Sequence, residues 1–210
     1  MTNTRIARLD ALIAAATAEG VAPVETWDPP YCGDIGLSIA RDGTWTYGGT
    51  AINRPQLVKL FARVLRRDPN GRHFLVTPAE KVDVIVEDAP FLAVEMQVDG
   101  AGDDQVLTFR TNVDDIVVCG PDHPMTFRLE PGTGGLKPYL LVRGRLEALV
   151  TRSVYLDLVA LARPVDGVAR LDGFRFACRD GELDEALGGQ YLDVVSGGAV
   201  FPMVPFDPSS

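Results

Sequence analysis

Few residues in this chain of 210 could do chemistry, and their types favour charge recognition over bond making. His73 and His123 are the only histidines. His73 falls between Arg72 and Phe74, where an edge or packed imidazole is the simple reading. Cys119 and His123 are close in sequence, but Pro121 and Pro124 crowd them, and a zinc site needs three or four ligands. Ser196 lies between Val195 and Gly197, which is not the G-x-S-x-G elbow of a hydrolase. Gly132 to Lys137 lacks phosphate-loop spacing, and Pro138 forbids the helix that should follow. Asp114-Asp115 reads as a solvated turn. These residues specify no catalytic group, metal or cofactor, so binding is favoured over catalysis.

The informative pattern is a helix-entry phrase that occurs twice. Ile52-Asn53-Arg54 with Leu57, Leu60 and Phe61 reappears as Val150-Thr151-Arg152 with Tyr155, Leu158 and Val159, each matched pair 98 residues apart. A repeat at constant offset marks two copies of one supersecondary unit. Both copies put an arginine at the expected first helical position, where it faces the positive end of the helix dipole, an error of about 0.3–1 kcal/mol. Two such errors ask for a compensating anion. It could be internal, with Glu87, Asp88, Asp34 or Glu147 as partner. It could instead be a phosphate or carboxylate ligand held at the helix starts. Lys81 and Arg143 would stand on the rim of such a site, with Ser196 and the Gly197-Gly198 backbone as close-approach donors.

Composition narrows the partners. A net charge of −9 excludes a nucleic-acid polymer, which needs a clustered cationic face. Lys59, Arg63, Arg66 and Arg67 form the one basic cluster, expected on the solvated side of a helix. Three cysteines at unrelated spacings fit neither a disulfide framework nor a paired knuckle and suit a reducing cytoplasm. No apolar run approaches membrane-spanning length, and Thr4 to Ala18 lacks a signal-peptide core.

The elements follow from periodicity. Thr4 to Glu19 reads as an amphipathic helix, followed by a Pro-rich connector. Gly36–Ala40 and Thr44–Tyr47 flank Asp42-Gly43 as a hairpin. The spacing predicts a helix over Arg54 to Arg67, with Asn53 as cap and Gln56 completing a capping box. Strands are expected at Arg72–Val76 and Val82–Val86. The break at Glu87 to Pro90 is taken as the domain boundary. Further strands are expected at Phe91–Val98, Val106–Thr111, Ile116–Val118 and Met125–Leu129. A hairpin about Gly144 then leads into a second helix, Arg152 to Ala162, expected to be the more buried of the two. The fold class is α+β with mainly antiparallel sheets. Residues 1–22 form a helix and connector, 23–88 an N-terminal domain and 89–210 a C-terminal domain.

Several phrases resemble a bacterial family catalogued as domain of unknown function 1285. The most specific are Thr77-Pro78-Ala79-Glu80-Lys81-Val82 and Val86-Glu87-Asp88-Ala89-Pro90-Phe91. Pro30 to Asp34, Arg41 to Trp45, Pro138-Tyr139, Val142-Arg143, Leu146 to Ala148 and Ser196 to Gly198 support them. The resemblance implies a duplicated two-domain core whose C-terminal half is pleckstrin-homology-like. It also implies a nucleotide-like ligand at the domain interface and a role in bacterial signalling. It carries over no catalytic residue.

The expectation is therefore a cytoplasmic, non-catalytic protein that binds a small anionic, nucleotide-like molecule in a cleft between two domains. Arg54, Lys81, Arg143, Arg152, Ser196, Gly197 and Gly198 are its site residues. The alternative is a protein-interaction module that docks a partner through a strand edge or groove. An enzyme would require Glu80, Glu87 or Asp88 to approach Lys81 or His73 with strongly shifted titration.

Overall fold

A computed structural model describes residues 22–130, 132–166 and 190–204. The expected helix at Thr4 to Glu19 lies outside them. The chain divides into two compact units. One holds the described residues up to Phe91 with Asn112–Asp114 and Arg143–Leu146, and the other holds the remainder.

The first unit is built on β1 (Tyr31–Ile39), β2 (Trp45–Tyr47), β3 (Thr50–Ala51), β4 (Leu65–Arg67), β5 (His73–Val76) and β6 (Lys81–Val86). A helix, α1 (Pro55–Arg63), lies between β3 and β4 in the chain. The strand order is β3-β2-β1-β6-β5-β4, with β1 and β6 parallel and every other neighbouring pair antiparallel. Alternation decides which face is core. Ile35, Leu37, Ile39, Trp45, Leu65, Leu75, Val82 and Val84 are buried, and Phe61 of α1 packs on Trp45 with ring centroids 6.1 Å apart. Asp42-Gly43 makes the expected hairpin turn, with Thr44 N–H donating to Asp42. The turn at Thr77 also forms, its hydroxyl accepting from the amides of Ala79 and Glu80.

Two expectations about α1 fail. The cap is Arg54, not Asn53, and the helix begins at Pro55. Proline fixes the first helical φ and drives the residue before it into the extended region, where Arg54 sits at φ −111°, ψ 99°. The helix also stops at Arg63, and Leu65–Arg67 pairs with β5 instead of continuing the turn pattern. Ladder bonds and burial of Leu65 outweigh helix propensity here. The four basic residues therefore do not share one helix face. Arg66 is buried and donates to the carbonyls of Val24 and Trp27 and to Asp68, while Lys59 is paired with Asp114.

The second unit contains β7 (Phe91–Asp99), β8 (Val106–Thr111), β9 (Ile116–Val118), β10 (Met125–Leu129), β11 (Leu136–Arg143) and β12 (Leu146–Val150). These form one sheet in the order β10-β11-β12-β7-β8-β9. The helix α2 (Arg152–Leu161) follows, then a second sheet of β13 (Arg163–Asp166), β14 (Gln190–Ser196) and β15 (Ala199–Pro202). Leu107, Phe109, Phe127, Leu140, Ala148 and Leu158 are its deepest core. In both units a hairpin leads directly into the helix, so the duplicated α+β plan holds. The second helix is not the more buried one: α1 buries Phe61 and Ala62, α2 buries Val154 and Leu158, and Leu156 is 61% exposed.

Leu37, with no exposed surface at the centre of the first sheet, sets a test of this core. Leu37→Ala should cost about 2–5 kcal/mol of unfolding free energy in urea titration, from lost burial and the cavity left behind. Leu156→Ala should stay within about 0.5 kcal/mol.

Candidate functional site

The two helix starts keep the property that drew attention to them, with one change of register. Arg54 is the N-cap of α1, whereas Arg152 is the first helical residue of α2 after Thr151. The proline at position 55 is what shifts them. Neither cap side chain bonds a backbone amide of its helix, though Thr151 meets the Ser153 hydroxyl at 3.4 Å, and neither helix has an acid in its first turn. Both arginines are exposed, and among the described residues neither makes a hydrogen bond or ion pair. The acids that could have neutralised them are engaged elsewhere. Glu87 accepts from the Arg41 amide, Asp88 faces Arg41, Asp34 accepts from Gly36, and Glu147 holds Arg128. The two starts differ in their amides: Pro55 has no N–H and the Leu57 amide already donates to the Arg54 carbonyl at 3.0 Å, whereas α2 begins without a proline.

The other expected site residues serve the fold. Lys81 pairs with Asp68 at 3.2 Å and lies over the Phe74 ring at 4.6 Å. Arg143 donates to the carbonyl of Ala62 at 2.7 Å and stacks over Phe91 at 4.9 Å. Ser196 is fully buried, donating to the Cys119 carbonyl and accepting from the Leu107 amide. Gly197 N–H donates to Gln105, and a Cβ there would stand 3.0 Å from the Cys119 carbonyl oxygen. That glycine is required by close packing in a left-handed turn, φ +57°. Gly198 is exposed in the same turn. Burial pushes the neighbouring Cys119 thiol up to about 12, so it is an inert core group.

One constellation was not legible in the linear order. On the sheet face opposite the α1 side of the first unit, Tyr31 donates to Asp83, and Arg72 pairs with the same carboxylate. The Arg72 guanidinium also lies over the rings of Tyr31 and Phe74, at 5.6 and 5.1 Å. Hydrogen bonds to Tyr31 and then Asp83 hold its pKa above the ordinary value. Beside this cluster is a cleft of about 390 Å³, lined by Asp34, Arg72, His73, Asp83 and Ile85 among others. His73 is depressed to about 4, first by burial and then by the charge of Arg67, so its imidazole is neutral near pH 7. Its Nε2 is buried without a partner among the described residues. The one sequence signal was the alternation of Lys81, Asp83 and Ile85, which puts them on a single face of β6. Neither Glu80, Glu87 nor Asp88 bonds to Lys81 or His73 in the manner an enzyme reading required.

Among the described residues no group of three or more His, Cys, Asp or Glu could hold a metal ion, and no helix could cross a membrane.

Among the described residues, two α+β units, each with a six-stranded sheet and one α-helix, define the class of this protein, and sequence comparison gives its family. Residues 22–89 match the N-terminal domain of DUF1285, a domain of unknown function, and residues 90–172 match the C-terminal domain of the same family. The chain belongs to the DUF1285 family. A DUF1285 family protein from Silicibacter pomeroyi DSS-3 is 41% identical, covers 94% of each chain and superposes with a TM-score of 0.78. A second, from Shewanella baltica OS155, is 29% identical over 60% of this chain and 91% of its own, with a TM-score of 0.47. No curated protein matches the chain.

Two measurements test these assignments. The unfolded imidazole of His73, near its ordinary 6.5, takes up a proton that the folded one refuses until about pH 4. Stability should therefore be full above about pH 6.5 and fall as pH drops towards 4, and His73→Gln should flatten that slope in urea titrations across the window. Ser196→Ala should cost about 1–3 kcal/mol in the same assay, because it strands a buried amide and a buried carbonyl.

Proposed function

We propose that this protein is a non-catalytic binder of a small anionic molecule, with nucleotides the first class to test, and that it acts in bacterial signalling. One observation supports the reading above the others. Both copies of the repeat begin their helix with an exposed arginine, no side-chain cap and no first-turn acid. A phosphate or carboxylate at either start would meet the positive end of the dipole and a guanidinium together, with more amide donors at α2 than at α1, where Pro55 has no N–H and Leu57 N–H is bonded to the Arg54 carbonyl. Arg54 and Arg152 are the residues that carry the proposal. Lys81, Arg143 and Ser196 have internal partners and are assigned supporting roles. Gly198 stays available as a backbone donor.

A second reading rests on β9, which lies at the edge of its sheet and exposes Ile116 at 64% and Val118 at 49%. An open edge with apolar side chains could add a strand from a protein partner.

Thermal-shift measurement against pyrophosphate, nucleoside mono-, di- and triphosphates and cyclic nucleotides separates the two. A ligand at a hundred times its dissociation constant should stabilise the fold by about 2.7 kcal/mol. Arg54→Ser and Arg152→Ser should each weaken that ligand at least tenfold, and added salt should do the same. No stabilisation across the panel, or stabilisation that ignores both substitutions, would sink the anion reading and leave the strand edge.

A further inference from the structure

The cleft in the first unit has a charge arrangement that the anion proposal does not use. Asp34 on β1 and Asp83 on β6 are register partners on adjacent strands, and both line the cleft. Like charges at paired positions are mutually destabilising unless cations intervene. Arg72 supplies one cation and is committed to Asp83 and Tyr31 through Nη2 alone. Its Nε and Nη1 make no hydrogen bond among the described residues, and its side chain is 54% exposed. Asp34 is exposed and uses only Oδ1, which accepts from the Gly36 amide at 2.6 Å.

The site therefore offers one half-used carboxylate and one half-used guanidinium on the wall of the same cleft. Asp83 is already matched by Arg72 Nη2 and the Tyr31 hydroxyl, so the open charges on the wall are one carboxylate and one guanidinium edge. A balanced but separated pair of charges favours neither a simple anion nor a simple cation. It favours a molecule that carries both signs. The remaining wall is apolar: Val84 and Val86 line it, and Ile85 is 58% exposed beside it. A cleft of about 390 Å³ falls within the range of small-molecule sites.

We propose that this cleft binds a small zwitterion of the apolar α-amino-acid class. Its ammonium pairs with Asp34, its carboxylate takes the open edge of Arg72, and its side chain lies against Ile85. Backbone geometry suits the arrangement. The β1–β6 register shifts between Tyr31 and Asp34 and again between Asp34 and Leu37, so Asp34 is paired with Asp83 between two irregularities. Irregularities of this kind re-aim a side chain.

The test titrates the full chain with L-alanine, L-valine and L-leucine by calorimetry, while the His73 Hε1 resonance reports on the cleft. At least one amino acid should bind saturably and shift that resonance. The amine and the carboxylic acid of matching side chain should each bind at least tenfold more weakly. Asp34→Asn, which keeps the Oδ1 acceptor for Gly36 and so spares the turn, should weaken binding at least tenfold. Arg72→Gln should do likewise. Arg54→Ser and Arg152→Ser should leave amino-acid binding unchanged, so this site stands or falls apart from the anion proposal. Absence of binding by all three amino acids at millimolar concentration would overturn the inference. So would equal binding by the amine alone, or unchanged binding by Asp34→Asn with its thermal midpoint preserved.

Discussion

The parallel pairing of β1 with β6 is the constraint on which the first unit depends. Every other pair in that sheet is antiparallel, and only this one joins its two halves, the β1–β3 meander and the β4–β6 meander. The strands are distant in sequence, so the pairing costs loop-closure entropy that local hairpins avoid. Burial offsets it. Leu37 and Ile39 from β1 and Val82 and Val84 from β6 lie side by side with 4% exposure or less. The α1 helix then covers that face through Phe61, which explains why nine helical residues suffice and why the chain returns to strand at Leu65.

The opposite face of the same sheet carries charge, and the charge is organised. Arg66, Lys81 and Arg72 alternate with Asp68 and Asp83 around the rings of Phe74 and Tyr31. Buried or half-buried ion pairs of this kind add less to stability than to specificity, because desolvation offsets much of the attraction. Arg66 is the member whose loss would matter most to the fold, since it also closes two backbone carbonyls from the connector. The second unit relies more on neutral groups. Gln105 and Ser196 tie β14 to the start of β8 and to Cys119, while the fully buried Asp193 of the same strand pairs with Arg163.

The duplication bears on how such a protein could evolve a binding role. Each copy delivers a hairpin into a helix that starts at an arginine, at the cap in α1 and at the first position in α2, with no acid in its first turn. Retaining that unfavourable feature in both copies costs some stability, a cost that structural packing does not need. The site in the first unit is of another kind, built from strand register and not from a helix terminus.

The chain's own order of residues determined the α+β class, the repeat, most strand positions in the second half, the Asp42-Gly43 turn and the family. These are local signals: alternation, turn glycines and a helix start repeat at short range and survive without knowledge of neighbours. It also located Arg54 and Arg152 near helix starts, though the effect of Pro55 on the residue before it moved the first cap by one position. Tertiary structure alone decided that Lys81 meets Asp68, that Ser196 is a buried clasp, and that Leu65–Arg67 is a strand. It alone placed Asp34 beside Asp83 and Arg72. Those outcomes depend on which strands pair and in what register, and a contact across 49 residues between Asp34 and Asp83 leaves no mark on the sequence near either one.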